Sequence, residues 1–143
     1  MISSEVEVVM HRCFVSARGA GHHFITVEHM VLEMLREAPV IRHLESCAID
    51  VDGLRKKLEE RVAGTSAAKS PMEDFDTQPT LDFQKVVERA ILRVQKQKRN
   101  EVLLGDLLAA VLNQQDSLAA TLLLEESARS KTTERLRKGD AAT

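Results

Sequence analysis

Residues 6–35 read VEVVMHRCFVSARGAGHHFITVEHMVLEML, and residues 83–112 read FQKVVERAILRVQKQKRNEVLLGDLLAAVL. The two stretches carry the same apolar pattern, displaced by 77 positions without a gap. Most of these positions are three or four residues apart, which is typical of an amphipathic helix. Such repetition indicates a duplicated helical unit. The apolar positions are Val6, Met10, Cys13, Phe14, Ala17, Val27, Met30, Val31, Met34 and Leu35 in the first copy, and Phe83, Val87, Ala90, Ile91, Val94, Leu104, Leu107, Leu108, Val111 and Leu112 in the second.

The composition favours an all-α protein. Hydrophobic residues make up 43% of the 143 residues, but the aromatic ones are four Phe, so the core has to be aliphatic. Leu, Ala and Met favour helix over strand. Cys13 and Cys47 both lie in helical patterns, and we interpret them as reduced core residues rather than disulfide or metal ligands.

Charge and hydropathy exclude two classes of partner. The formal net charge of −2 lacks the basic excess of a general nucleic-acid binder. No apolar run approaches 18 residues, and the N-terminus has no signal-peptide pattern, so we expect no contact with a membrane. These features predict a cytoplasmic, soluble chain.

Capping residues predict where the helices begin. Ser4 with Glu7 has capping-box spacing, and Thr26, Asp50 and Thr80 are good N-cap residues. Pro39 suits the first turn of a helix. Residues 64–79 lack helical periodicity and are predicted to be a surface connector. The predicted helices span residues 4–19, 27–36, 39–47, 51–63, 80–98, 103–112 and 115–124, with a weak eighth helix after Ser130.

These elements predict a single domain over residues 1–143. Repeat 1 covers residues 1–63, the connector residues 64–79, and repeat 2 residues 80–143. Two copies of one pattern should give two four-helix repeats related by a pseudo-twofold axis, packed as one compact bundle.

The sequence has few features of a catalytic or cofactor site. It contains neither G-x-x-x-x-G-K-[ST] nor G-x-G-x-x-G, and no common hydrolase signature, so we expect no enzyme activity and no cofactor. His22, His23 and His29 lie close to Glu28, but no pair has the i, i+4 spacing of zinc ligands. We interpret His22 and His23 as solvated loop residues, with a polar contact surface as the alternative.

Four basic residues crowd the end of the fifth predicted helix. They could form a phosphate-binding patch. The simpler interpretation is that these cations interact favourably with the negative end of the helix dipole. The residues are Arg93, Lys96, Lys98 and Arg99.

Three strings resemble a known family. Residues 24–32, FITVEHMVL, resemble the F-x-T-x-E-H-L-L-L signature of the amino-terminal domain of Clp-type AAA+ protein unfoldases. Residues 76–84, DTQPTLDFQ, and residues 99–102, RNEV, resemble the ClpA branch in particular. The resemblance covers roughly residues 1–125.

The resemblance implies a non-catalytic domain that docks adaptors and protein substrates on an ATPase ring. In the ClpA branch the adaptor is ClpS, which delivers proteins bearing N-degrons to the ClpAP protease. The implied adaptor surface is formed by the loop before the second helix and by the starts of the second and fifth helices. It comprises His23, Glu28, Thr80, Lys85 and Arg89, and we expect the isolated chain to be monomeric.

Two features depart from the family pattern. His23 stands where the ClpA pattern has an acid, and residues 125–143 lack the apolar pattern of a last helix. One alternative function is a stand-alone regulator that competes for the adaptor without an ATPase. Another is a small metal-dependent enzyme using His22, His23 and Glu28.

Overall fold

The computed structural model describes residues 2–63, 77–114 and 117–129. Seven α-helices and two short strands occupy these residues, which agrees with the predicted all-α class. The predicted eighth helix and residues 64–76 of the connector lie outside the described residues. The helices are α1 (Ser4–Gly19), α2 (Val27–Met34), α3 (Ala38–Ser46), α4 (Val51–Ala63), α5 (Leu81–Lys96), α6 (Leu104–Asn113) and α7 (Leu118–Arg129), and the strands are β1 (Phe24–Ile25) and β2 (Gln78–Pro79).

Three of the predicted N-caps are confirmed. The hydroxyls of Thr26 and Thr80 each accept a hydrogen bond from the backbone N–H three residues later, at 3.4 and 3.2 Å. Oδ1 of Asp50 accepts one from Gly53 at 3.2 Å. Pro39 lies in the first turn of α3, as predicted. Local sequence therefore sets the start of these helices.

The cap of α1 was predicted one residue too late. Ser3, not Ser4, accepts the hydrogen bond from the backbone N–H of Val6, at 3.2 Å. The N–H of Ser3 donates to the carbonyl of Val102 at 3.0 Å. This long-range bond holds Ser3 in the extended conformation that a cap requires.

Several helix ends also differ from the prediction. α7 begins at Leu118 and ends at Arg129, three and five residues later than expected. α5 ends at Lys96 because Lys98 adopts a positive φ of 56°. Gly21 has the equivalent conformation after α1, with φ of 74°, which costs a glycine nothing but is rare for lysine.

Two parallel strand contacts join the repeats. Ile25 of β1 pairs with Pro79 of β2, and Ile2 pairs with Val102 in an isolated bridge. Each residue of the first pair lies 77 positions from one in the second, so the contacts are equivalent under the pseudo-twofold relation. Residues 77–79 were predicted to belong to a surface connector, but Thr77 is buried and β2 is paired.

α2 and α6 lie at the centre of the bundle. α2 contacts α1, α4, α5, α6 and α7, and every residue of α6 except the last is buried. The predicted stripe was partly wrong. Phe14 and Ile91 are 42% and 37% exposed, and Val9 and Val86 are buried instead. The buried faces of α1 and α5 are therefore rotated relative to the predicted stripe.

Candidate functional site

The β1–β2 pairing brings the loop before α2 next to the start of α5. The carbonyl of His23 accepts a hydrogen bond from the N–H of Gln78 at 3.0 Å, and that of Ile25 accepts one from Thr80 at 2.9 Å. A cleft of about 290 Å³ opens beside this junction. We refer to it as the α2–α5 cleft; its lining residues are Thr26, Val27, Glu28, Thr80, Asp82, Ser117 and Leu118.

The predicted site residues divide into two groups. Glu28 and Thr80 line the α2–α5 cleft, and His23 joins it through the backbone of the same junction. Lys85 and Arg89 lie further along α5 and are exposed. Arg89 lines a separate groove of about 530 Å³ between α5 and α6, with Leu92, Arg93, Lys96, Gln97, Ala110 and Asn113.

Asp82 is a cleft residue that the sequence reasoning missed. It lies in the first turn of α5, two residues after the Thr80 cap. Glu28 lies in the first turn of α2 in the same relation to Thr26. The helix dipole favours a negative charge at both positions. The same spacing also follows the caps of α1 and α4, as Glu5 and Asp52, so it did not by itself indicate the cleft.

The surroundings of the cleft combine acidic and apolar groups. Glu28 and Asp82 supply two carboxylates, and Leu118 contributes apolar surface. Phe24 and Leu81, on the two chain segments that meet at the junction, are large apolar residues exposed to solvent. This combination suits a protein segment that presents a cationic side chain beside apolar ones.

A buried histidine pair lies behind the cleft, which corrects the prediction of a solvated loop. His22 is only 6% exposed, and its Nδ1 lies 3.1 Å from Nε2 of His29. The N–H of Thr26 donates to Nδ1 of His29 at 3.0 Å. Because a backbone N–H can only donate, the neutral His29 ring carries its proton on Nε2 and donates it to His22.

This arrangement requires His29 to be neutral. Burial lowers the pKa of His29 to about 4, with a further contribution from the nearby His22. The position of His22 is also fixed by the segment that leads into β2, since the Thr77 hydroxyl donates to its carbonyl at 3.0 Å. Among the residues that the structure describes, no three His, Cys, Asp or Glu side chains come close enough to hold a metal ion.

The basic cluster at the end of α5 has an internal partner. Arg93 donates to Oδ1 of Asp106 at 3.1 Å, and Arg99 binds the same oxygen. Burial alone would raise the pKa of Asp106. The pKa is nevertheless lowered overall, because the carboxylate accepts hydrogen bonds from Arg99, the N–H of Leu103 and Arg93, and because Arg99 is positively charged. Two of the four cations therefore stabilise a buried carboxylate, an explanation that neither sequence interpretation included.

The profile of the Clp repeat (R) N-terminal domain family matches residues 1–126. The chain belongs to this family. The ClpA homolog protein of Fuscovulum blasticum is 30% identical to this Clp N-domain over 125 residues. The matched region is 87% of this chain but only 16% of that relative's length.

Solved structures share the fold of this Clp N-domain. The Hsp104 N-terminal domain from Candida albicans superposes with a TM-score of 0.80 at 11% identity, covering 96% of this chain and 87% of that one. The ClpV N-domain in complex with a VipB peptide gives a TM-score of 0.69 at 14% identity, covering 99% and 90%. At these identities the likeness establishes the fold alone.

The family is a non-catalytic domain family, in agreement with the prediction that this chain is not itself an enzyme. Within residues 2–63, 77–114 and 117–129, no single helix has the length and hydropathy to cross a membrane. Within the same residues, α6 and α7 have that length and hydropathy only when they are taken together, and the two helices are bent by 96°.

Proposed function

We propose that this Clp N-domain docks a ClpS-type adaptor protein, and through it N-degron substrates, for a cytoplasmic ATP-driven protein unfoldase of the ClpA type. The observation that carries the proposal is the α2–α5 cleft. Two residues of the adaptor surface implied by the family resemblance, Glu28 and Thr80, line the same cleft. A docking role also agrees with a relative named as a ClpA homolog and with a solved neighbour that binds a peptide.

The chemistry of the cleft suggests how an adaptor would bind. Glu28 and Asp82 offer negative charge to a lysine or arginine of the partner, while Phe24 and Leu81 offer apolar area around it. Apolar contacts that exclude water strengthen a charge pair at the centre of an interface. His23, at the edge, offers an imidazole where the family pattern has a carboxylate, so we expect one acidic contact fewer there.

Charge reversal of Glu28 tests the proposal. If Glu28 faces an adaptor cation, Glu28→Lys should weaken binding by about 2 kcal/mol or more, which is roughly thirtyfold in Kd. Calorimetric titration of a ClpS-type adaptor into each folded protein measures this. The matched control is Glu5→Lys, which reverses an exposed acid in the first turn of α1.

Both variants lose a favourable helix-dipole interaction of about 0.3–1 kcal/mol, so their stabilities should change alike. Only Glu28→Lys should change adaptor binding. Binding by Glu28→Lys within twofold of wild type would remove Glu28 from the interface. A wild type that binds no ClpS-type adaptor would refute the proposed function itself.

The alternative is a regulator that binds the adaptor without an ATPase. The chain spans about a sixth of the length of the curated relative, so the activity of any longer protein is part of the proposal. The reading frame that encodes the chain distinguishes the two. A G-x-x-x-x-G-K-[ST] motif downstream supports the unfoldase, and a frame without one supports the regulator.

A further inference from the structure

Gln114 is a buried polar residue between α6 and α7, outside the adaptor surface described so far. It is 5% exposed, and both polar atoms of its side chain are bound. Oε1 accepts a hydrogen bond from Arg89 at 2.7 Å, and Nε2 donates to Oδ1 of Asp82 at 3.0 Å. Because a guanidinium can only donate, Oε1 has to face Arg89, and the amide nitrogen therefore faces Asp82.

The backbone of Gln114 also fixes a second residue of the cleft. Its carbonyl accepts a hydrogen bond from the N–H of Ser117 at 3.0 Å. Ser117 lines the α2–α5 cleft, and its hydroxyl accepts a hydrogen bond from Ala120 in the first turn of α7 at 3.1 Å. A single residue thus holds the cleft residues Asp82 and Ser117 in place.

Comparison with the first repeat shows what the Gln114 amide adds. The residue equivalent to Gln114 is Glu37, and its carboxylate lies 3.8 Å from Arg12, the equivalent of Arg89. The equivalent of Asp82 is Glu5, which is exposed. A carboxylate accepts from arginine but has no hydrogen to donate to a second acid, whereas an amide does both. The difference between the repeats therefore creates this connection only beside the cleft.

We propose that Gln114 is a positioning residue for adaptor docking: it aims the Asp82 carboxylate at a cationic side chain of the partner, and Arg89 acts through it. The inference rests on the proposed function, because it concerns the same cleft. It makes Asp82 the second docking carboxylate beside Glu28. It also changes the role of Arg89 from an adaptor contact to a support.

The physical gain is preorganisation. A carboxylate already held in one rotamer loses less freedom when the partner binds than one that turns freely in solvent. Arg89 contributes twice, because it also donates to the carbonyl of Asn113 at the end of α6, at 2.9 Å. Its guanidinium thereby fixes the orientation of the amide and the position of the chain that carries it.

Gln114→Glu tests the proposal with almost no change in shape. The variant keeps an acceptor for Arg89 but loses the donor to Asp82. If only net charge mattered, the added negative charge near the cleft would tighten binding of a cationic partner. If positioning matters, calorimetry with the ClpS-type adaptor should show binding about tenfold weaker, the size expected for one hydrogen bond to a charged group. Unchanged or tighter binding would overturn the proposal.

A double-mutant cycle tests the role of Arg89. Arg89→Ala and Asp82→Ala should each weaken adaptor binding, and the double variant should bind no more weakly than Asp82→Ala alone. Equal weakening by Arg89→Ala with and without Asp82 would mean that Arg89 touches the adaptor directly. Thermal unfolding by circular dichroism checks that each variant is folded. If Arg89→Ala does not fold, Gln114→Glu still tests the proposal independently.

The binding of the wild type separates this inference from the proposed function. A wild type that binds no adaptor refutes the proposed function and the docking role of Gln114 with it. The hydrogen bond itself is then read from the side-chain amide signals of Gln114 in a ¹⁵N NMR spectrum. They should shift in Asp82→Ala and stay in place in the matched control Glu5→Ala; signals that ignore Asp82→Ala would contradict the geometry as well.

Discussion

Acidification from pH 7.5 to pH 4.5 is expected to destabilise the fold through one buried group, His29. The pKa of His29 is lowered to about 4 in the folded chain, first by burial and then by His22, whereas an unfolded histidine titrates near pH 6.5. The native state therefore binds this proton more weakly than the unfolded state does. The stability that depends on neutral His29 is complete above pH 6.5 and is lost as the pH falls toward 4.

The magnitude follows from the two pKa values. The loss is about 1.4 kcal/mol at pH 5.5 and about 2.6 kcal/mol at pH 4.5, against a total stability of about 5–15 kcal/mol for a typical domain. Protonated Nδ1 of His29 has no lone pair left to accept the N–H of Thr26, so the first turn of α2 loses a cap. The new charge also faces His22 in a buried site.

The assay is urea unfolding followed by circular dichroism at pH 7.5, 5.5 and 4.5. The matched variant is His29→Asn, whose side-chain oxygen can accept the N–H of Thr26 without titrating, as Asp106 accepts that of Leu103 at 2.8 Å. Groups that titrate alike in both proteins cancel in the difference. The wild type should lose about 2.6 kcal/mol relative to the variant between pH 7.5 and 4.5. A difference that does not change with pH would refute the reasoning.

Three other measurements test the core and the buried ion pairs. Ala90 is fully buried on α5, so Ala90→Leu should cost about 1–3 kcal/mol by overpacking; a thermal midpoint equal to that of the exposed control Glu88→Leu would contradict this. Asp106→Asn should lower the free energy of unfolding in urea by about 3 kcal/mol at pH 7, because two arginines lose their buried carboxylate. Since the pKa of Asp106 is lowered, this contribution should be present above pH 3.8 and be lost as the pH falls below that value. An unchanged urea midpoint would show that the ion pairs contribute nothing to stability. Burial and the charge of Glu33 raise the pKa of Cys13 to about 12, so this thiol should react with a disulfide reagent at pH 8 only when the chain unfolds. Peptide mass spectrometry measures the labelling, and rapid labelling of Cys13 in the folded protein would contradict this prediction.

Most of the helices could be predicted because their signals are local. Thr26 and Thr80 cap their helices through bonds to residues three positions away, and Pro39 starts α3 through its own ring geometry. Ser3 and Ser4 can both cap α1 by residue type, and Glu7 at capping-box spacing favours Ser4. The choice between them depends on a bond from Ser3 to Val102, 99 residues away, which no local pattern contains.

The site was less predictable because it is assembled from distant segments. Glu28 and Thr80 lie 52 residues apart in sequence, and only the family resemblance linked them. His22 was expected in solvent because it precedes the Thr26 cap and so lies in a loop, but it is buried and contacts Thr77 and His29. The exposure of Phe14 was also missed, since several faces of α1 carry apolar residues and periodicity alone does not choose among them.

The paired strand contacts have a consequence for how the duplicated halves depend on one another. The segment at Ile2 in the first repeat pairs with the loop at Val102 in the second. The segment at Pro79, which leads into the second repeat, pairs with the loop at Ile25 in the first. Each half therefore pairs with a segment of the other half, and neither of these two contacts lies within one half. A first repeat separated from the second still carries both Ile2 and Ile25, one donor edge and one acceptor edge. Two such copies should therefore exchange edges and form a true twofold dimer, in which the symmetry that is only approximate in this chain becomes complete.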